Sequence, residues 1–271
     1  MSISTNILQA IGNTSMVQLR KVVPPGCAEV VVKLEWENPT ALVCVAKGYH
    51  LHIVTSDAFS QEKLKQMSAF GAELTLVPSE GGLTTKKLIL DMIEAAREIS
   101  KRPHTYWTNQ LSNVDSIAGY YPLAEEIWNQ TNRKVDAFVQ SVGTAASARG
   151  VASVLKRYNP KLKMIVVEPA ESAVLSGGQA GPHKIEGVGI GYTPPLWDPS
   201  LVDEIIAVST DDAKAMARRL AREEGLFAGT SSGANVVAAL RVAEQLGPDA
   251  RVATLMVDSG LKYLSTDVYK K

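Results

Sequence analysis

The stretch VDAFVQSVGTAASARGVASVLKRY, residues 135–158, decides the fold class of this chain. It opens on an apolar run, passes through the short loop 142–144 and continues with apolar residues at three- and four-residue spacing. The pattern predicts a buried strand that ends at Ser141 and a helix that begins around Ala145. A strand that is apolar throughout and runs into a helix is typical of a parallel sheet covered by helices on both faces.

Six further apolar runs repeat the strand pattern on either side of this unit. They are VVVKLE from Val30, LHIVT from Leu51, ELTLV from Glu73, KMIVVEP from Lys163, DEIIAVS from Asp203 and RVATLMV from Arg251, and TYWT from Thr105 is a weaker candidate. Helical patterns such as residues 85–100 and 211–225 separate them, with Asp211 and Gly225 as the predicted N-cap and C′ residue of the second. The alternation predicts an α/β protein with a mostly parallel sheet.

Composition narrows the class of protein. The chain has 271 residues, 28 Lys and Arg against 28 Asp and Glu, and 45% hydrophobic residues. This balance excludes most disordered and polybasic classes, although a local basic patch stays open. Two cysteines cannot form a disulfide framework, and no signal peptide or membrane-length apolar run is apparent. We therefore expect a soluble, cytoplasmic protein.

Two helix starts carry the candidate chemistry. A helix N-terminus has unpaired N–H groups and positive partial charge, so the one after Ser141 predicts an anion site to which Thr144 and Ser147 add hydroxyls. The turn before a second helix, AGTSSGAN from Ala228, carries Ser231 and Ser232. Taken alone, both patterns favour ordinary helix capping, because capping residues occur at most helix starts.

Other motifs are weaker. The segment 175–200 is rich in Gly and Pro without a period, and a loop of this length is usually functional or mobile. Within it Gly187-Val188-Gly189-Ile190-Gly191 superficially matches a dinucleotide fingerprint, but it follows no strand and opens no helix. The four histidines and the acidic residues show no metal-ligand spacing, so no metal site is predicted.

Ordered blocks along nearly the whole chain carry a resemblance to a known family. They are ILQAIGNTSMVQL, KLEWENPT, VTSDAFSQEKLKQMSAFGAELTLVPSEGG, WTNQLSNVDS, GTAAS, IEGVGIGYTPP, AGTSSGAN and VDSGLKYLSTDVY. On these blocks the chain resembles the cysteine synthase family, the pyridoxal-phosphate enzymes of fold type II, whose fold is that of the tryptophan synthase β chain. Ser15 and Met16 depart from the Pro and Leu that the family has there.

The resemblance implies two α/β domains with pyridoxal phosphate between them. The larger, cofactor-binding domain is expected at residues 1–37 and 132–271, and the smaller, substrate-binding domain at 38–131. The family is usually homodimeric, often binds serine acetyltransferase, and makes L-cysteine from O-acetylserine or O-phosphoserine and sulfide.

The resemblance also assigns roles to single residues. The expected phosphate-binding loop consists of Gly143, Thr144, Ala145, Ala146 and Ser147, in the place of the family's GTGGT or GTGGS. Ser231 matches the serine that faces the pyridine nitrogen, and Gln110, Gly187 and Gly189 match substrate-side positions. Two alanines replace family glycines; they suit helical φ angles and are unfavourable where φ is positive.

One segment of the family pattern is missing. After the Asn-Pro turn the family has a Ser-x-Lys-Asp segment with the Schiff-base lysine, then a helix, a strand and the loop that binds the substrate carboxylate. Here Thr40 runs directly into ALVCVAKGYHLHIVT. The expected catalytic lysine is therefore absent, the smaller sheet loses a strand, and Lys33 and Lys47 are the nearest remaining lysines.

Three functions stay open from the sequence. The first is a family member impaired or inactive in β-replacement. The second is a non-catalytic partner of an intact paralogue or of serine acetyltransferase, and the third is a binder of small anions at residues 143–147.

Overall fold

The computed structural model describes residues 7–35 and 40–270, and the Asn38-Pro39 turn lies outside them. Its strands are β1 Met16–Gln18, β2 Glu29–Leu34, β3 His52–Ser56, β4 Glu73–Val77, β5 Ala137–Ser141, β6 Lys163–Pro169, β7 Glu204–Val208 and β8 Arg251–Met256. Its α-helices are α1 Thr40–Lys47, α2 Gln61–Ala69, α3 Lys86–Ser100, α4 Asp115–Gly119, α5 Tyr121–Gln130, α6 Ala146–Tyr158, α7 Thr210–Arg219 and α8 Thr230–Leu246. No helix within these residues is long and apolar enough to cross a membrane.

The larger sheet has the strand order β1-β2-β8-β5-β6-β7, with β1 antiparallel to β2 and the other pairs parallel. The carboxyl ends of the parallel strands therefore lie at one edge. Helix α6 begins just beyond the end of β5, and α8 begins at the same edge before it runs back to β8. Asn235 of α8 fixes this arrangement, because its Oδ1 accepts from Ser141 N at 2.7 Å and its Nδ2 donates to Leu255 O at 3.0 Å.

Apolar layers cover both faces of this sheet. Ala137 and Val139 of β5 face the layer formed with α7 and α8, whereas Phe138 faces the layer formed with α5 and α6. All five residues of β5 are buried, as its apolar sequence predicts. Burial of the central strand on both faces makes the carboxyl edge a rigid base for the loops beyond it.

The second sheet consists of β3 and β4 within the described residues, paired in parallel from His52–Glu73 to Ser56–Val77. Helix α3 packs on both strands and α2 packs on β4. The predicted α/β class is thus confirmed, with one large and one small parallel sheet flanked by helices. The domain boundaries 1–37, 38–131 and 132–271 stay a prediction.

The seven main strand predictions are confirmed, and four local details differ. The weaker candidate at Thr105 is not a strand, since residues 105–109 form neither helix nor strand. Short β1 was missed because three residues carry too little pattern. The N-cap of α7 is Ser209, whose hydroxyl accepts from Asp212 N at 3.1 Å, rather than Asp211. The fourth detail is a shift of one residue, since helix α6, predicted to begin around Ala145, has Ala145 as its N-cap and Ala146 as its first residue.

Candidate functional site

The loop between β5 and α6 is tightly built. Ala145 precedes the helix in the left-handed conformation at φ 70°, and Thr144 Oγ1 accepts a bond from Ala146 N at 3.3 Å. A Cβ atom on Gly143 would overlap the carbonyl oxygen of Gly187, so only glycine fits there. The first N–H groups of α6 lack partners within the helix and, with the helix dipole, favour an anion in front of this loop.

Two side chains of β5 support the loop from below. Gln140 is 5% exposed, and its Nε2 donates to the hydroxyl of Ser147 in the first turn of α6. Ser141 is 6% exposed at the end of the strand. Within the described residues, Gln140 Oε1 and Ser141 Oγ are buried without a hydrogen-bond partner. Buried polar atoms without a partner are uncommon in proteins, so those at the β5–α6 junction indicate a role beyond packing.

The start of α8 presents the second predicted group. Ser231 is 3% exposed at its second residue, and the neighbouring Ser232 Oγ accepts from Val257 N at 2.9 Å. Gly229 precedes the helix, and a Cβ atom there would overlap Asp258 Oδ1. The sequence correctly placed a small-residue turn here, and close packing against Asp258 explains why residue 229 is a glycine.

The segment 183–191 joins the two helix starts. Gly189 N donates to Val142 O at 3.0 Å, Gly187 lies against Gly143, and Glu186 N approaches Thr230 Oγ1 at 3.4 Å. The structure therefore brings Gly187 and Gly189 to the loop between β5 and α6, and their substrate-side role stays a prediction. The described residues form no regular helix or strand between 175 and 198, as the Gly- and Pro-rich sequence predicts.

His183 holds this segment in place. Its Nε2 is 2.8 Å from Gly189 O, its Nδ1 accepts from Ile185 N at 3.3 Å, and the residue is 3% exposed. Burial lowers the pKa of His183, which keeps the ring neutral with its proton on Nε2. A small cleft, open to solvent, lies beside the segment and is lined by Gly143, Ser172 and Tyr192 among others.

Gln110 is not brought to the loop within the described structure. It is exposed on the irregular segment between α3 and α4, and no hydrogen bond joins its side chain to residues 143–147 among those the structure describes. Its assignment to the substrate carboxylate stays a prediction.

The two lysines singled out in the sequence are not available at this site. Lys33 is fully buried, and its Nζ donates to Glu126 Oε2 at 2.6 Å and to Thr14 O at 2.5 Å. Lys47 is exposed at the end of α1. Neither nitrogen contacts the described loop at residues 143–147.

Sequence reasoning missed a third lysine, Lys63 of α2. Its Nζ donates to Glu186 Oε2 at 2.8 Å and to Tyr263 OH at 2.7 Å, and it lies 3.2 Å from Asp258 Oδ2. Burial lowers the pKa of Lys63, but the carboxylates of Asp258 and Glu186 outweigh it and raise the pKa overall. Lys63 is therefore a paired ammonium, and no local signal reveals it because its partners are distant in sequence.

The pKa of Lys262 is shifted in the opposite direction to that of Lys63. It lies in the 3-10 helix Gly260–Tyr263, and burial together with the charge of Lys63 lowers its pKa, against the opposing effect of Asp258. Among the described residues, no group of three or more His, Cys, Asp or Glu side chains could hold a metal ion.

Comparison with known proteins decides the family. The family model described as "Pyridoxal-phosphate dependent enzyme" matches residues 40–258. A cysteine synthase of Staphylococcus aureus is 35% identical over 306 aligned positions, which cover 97% of this chain and 96% of that protein. The chain belongs to the cysteine synthase family. That family is pyridoxal-phosphate dependent, as the sequence predicted.

Solved structures of similar proteins extend this membership to the fold. The chain is similar to a cysteine synthase of Entamoeba histolytica at a TM-score of 0.88 and 33% identity, covering 100% of this chain and 92% of that one. It is also similar to an O-ureido-L-serine synthase at 0.90 and 28%, covering 99% and 94%. That structure is a lysine-to-alanine variant with O-ureido-L-serine bound.

The residues present fit one end of the cofactor of the cysteine synthase family. The glycine at 143, the start of α6 and the hydroxyls of Thr144 and Ser147 form a cradle with the donors that a phosphate group requires. The other end needs an unpaired amine. Among the described residues, Lys33 and Lys63 are held by carboxylates, Lys47 is exposed, and Lys262 lies near Lys63 and Asp258.

Proposed function

We propose that this chain binds pyridoxal phosphate through its phosphate group, without a covalent link, and is impaired or inactive in β-replacement. The family reaction would convert O-acetylserine or O-phosphoserine and sulfide into L-cysteine. One observation carries the proposal: the phosphate cradle is present, whereas the buried lysines near the carboxyl edge are paired with carboxylates. A paired ammonium is a poor nucleophile, because the free amine is needed to attack a carbonyl carbon.

The length of one alignment supports a segment missing from this chain. The match to the Staphylococcus aureus cysteine synthase runs over 306 positions, more than the 271 residues of this chain. Gaps in this chain therefore account for at least the difference. The two-stranded second sheet supports the same interpretation.

Each remaining residue keeps a binding role in this proposal. When bound, pyridoxal phosphate supplies the electron sink that makes an α-proton removable. The hydroxyls of Thr144 and Ser147 and the N–H groups at the start of α6 bind the phosphate, and Ser231 donates to the pyridine nitrogen. Residues 187–191 shape the substrate side and exclude water. Lys33 and Lys63 are held as ammonium groups by carboxylates and are not free to take the α-proton, so binding persists while turnover is lost.

A non-catalytic partner role is the second proposal. The homodimer, an intact paralogue and serine acetyltransferase are the partners that the family suggests. The larger sheet retains its six strands, and apolar side chains are exposed on the smaller half, including Val45 at 56%, Tyr49 at 65% and Leu76 at 53%. A surface of this kind suits burial against another chain.

Borohydride reduction tests the main proposal directly. The protein is incubated with pyridoxal phosphate, reduced with borohydride, digested and searched by mass spectrometry for pyridoxyl-lysine. We expect no adduct, release of the ligand on dialysis and no cysteine formation from O-acetylserine and sulfide. The Staphylococcus aureus cysteine synthase, treated in parallel, is the positive control. An adduct on Lys63 or Lys262 would overturn the proposal, and co-purification of this chain with an intact paralogue would favour the partner role.

A further inference from the structure

The side chain of Gln140 places an amide group on an apolar face of the larger sheet. It shares a face with Phe138, because residues two apart in a strand point the same way. The layer on that face is apolar and includes Ala146, Val151 and Val166. An amide in such a layer costs free energy unless its donors and acceptor are paired. Packing alone therefore does not account for Gln140.

The amide is only half satisfied within the described structure. Its Nε2 donates to Ser147 Oγ, whereas its Oε1 is buried without a partner among the described residues. The one hydrogen bond described for this side chain therefore goes to the first turn of α6, where the proposed phosphate cradle begins. Because the oxygen makes no bond, the bond to Ser147 is the one interaction described here that an apolar residue at position 140 could not make.

The contact determines what the Ser147 hydroxyl can do. A hydroxyl has one proton and two lone pairs, and accepting from Gln140 leaves its proton free to donate. Ser153, later in α6, shows the usual alternative, since its hydroxyl donates to Arg149 O four residues earlier at 2.7 Å. For Ser147 the residue four earlier is Gly143, which precedes the helix, and no such bond from the Ser147 hydroxyl is formed within the described residues. Its proton is therefore free to donate to a ligand in the cradle.

We infer that Gln140 is a positioning residue, which orients the Ser147 hydroxyl to donate to an oxygen of a bound phosphate monoester. The inference rests on the phosphate-binding part of the proposed function and deepens it. It does not depend on whether a covalent link forms. A ligand that has the phosphate but lacks the aldehyde therefore tests it separately.

A double-mutant cycle with pyridoxine 5′-phosphate is that test. Dissociation constants are measured by calorimetry for the original protein, Gln140→Met, Ser147→Ala and the double variant. We expect each single change to weaken binding about fivefold, and the double variant to bind no more weakly than Ser147→Ala. Independent, multiplying effects, or an unchanged constant in Gln140→Met, would overturn the inference.

Two further measurements separate positioning from a structural role. The Tm of unliganded Gln140→Met should stay the same or rise, because the change removes an unpaired buried oxygen. If Gln140→Met does not fold, Gln140→Glu replaces it: its carboxylate accepts the proton of Ser147, so binding should weaken relative to the original protein and recover on acidification. The same pH response in the Ser147→Ala background would contradict the inference. A pyridoxyl adduct would refute the proposed function and leave this cycle interpretable.

Discussion

Ala145 shows how one residue departs from what its backbone prefers. It is 3% exposed and has a φ of 70°, in the left-handed region. This conformation costs an alanine about 1–2 kcal/mol more than it costs a glycine. Its carbonyl accepts from Arg149 N at 2.9 Å, so the strained conformation also starts the helix. Of the two alanines that replace family glycines, only Ala145 occupies the unfavourable region, since Ala146 is the first residue of α6.

Ala145→Gly is therefore expected to stabilise the protein. The free energy of unfolding should rise by about 1 kcal/mol, because relief of the strain exceeds the entropy that glycine adds to the unfolded chain. Urea denaturation measures the change, with Ala146→Gly as the matched control. The control lies at a helical position, where glycine should lower stability by up to about 1 kcal/mol. A loss of stability in Ala145→Gly would show that the left-handed conformation carries no strain.

At the scale of elements, Lys63 links three segments that are far apart in sequence. It lies on α2 beside the smaller sheet and pairs with Glu186 of the site segment and Asp258 after β8. Tyr263 OH donates to Asp258 Oδ2 at 2.7 Å and completes the cluster. Burial, reinforced by Asp258 and Glu186, raises the pKa of Tyr263 well above its ordinary value, so it remains a neutral donor. The cluster thus ties α2 to the segment 183–191, which lies against the loop between β5 and α6.

Lys63→Met should destabilise the protein by about 3 kcal/mol, since it leaves two partly buried carboxylates without their cation. This is the low end for buried pairs, because the Lys63 side chain keeps 20% exposure. Thermal unfolding measures it. Lys87→Met is the control: its pair with Asp91 is exposed, and we expect no measurable change. Equal effects of the two substitutions would refute the assigned role of the cluster.

The pH dependence of that difference follows from the raised pKa of Lys63. A group whose pKa is higher in the folded state stabilises that state fully below its unfolded pKa. The gap in stability between the original protein and Lys63→Met should therefore stay constant through neutral pH. It should shrink above the ordinary lysine pKa of 10.5, as the pH rises through the folded value. Acidification that closes the gap first would instead indicate protonation of the carboxylates.

At the scale of the whole molecule, the two sheets are unequal. The larger sheet has six strands, with β1 at one edge and β7 at the other, whereas β3 and β4 pair only with each other within the described residues. A two-stranded sheet depends on the helices packed against it, because so few strands bury little apolar surface by themselves. We expect a segment missing after Thr40 to account for the short sheet and for the proposed loss of the covalent link.

Insertion of the missing segment tests this view. The segment that follows the Asn-Pro turn in the Staphylococcus aureus cysteine synthase is placed between Thr40 and Ala41. We expect borohydride reduction to give a pyridoxyl adduct on the inserted lysine, and hydrogen exchange at β3 to slow because the strand gains a neighbour. The same insertion with alanine in place of its lysine should slow exchange without an adduct. Unchanged exchange in both chains would argue against a lost strand.

The sequence by itself determined the fold class, the seven main strands and the helix start that follows β5, whereas the phosphate loop at residues 143–147 and the missing lysine segment stay predictions. These follow from local patterns, because a strand buried on both faces must be apolar throughout and a helix start carries its own donors. Only the tertiary structure decided the φ angle of Ala145, the contact of Gly187 with Gly143, the bond from Gln140 to Ser147 and the cluster around Lys63. Most of these depend on how distant segments pack, and no pattern along the chain encodes the distance between residues 63, 186 and 258.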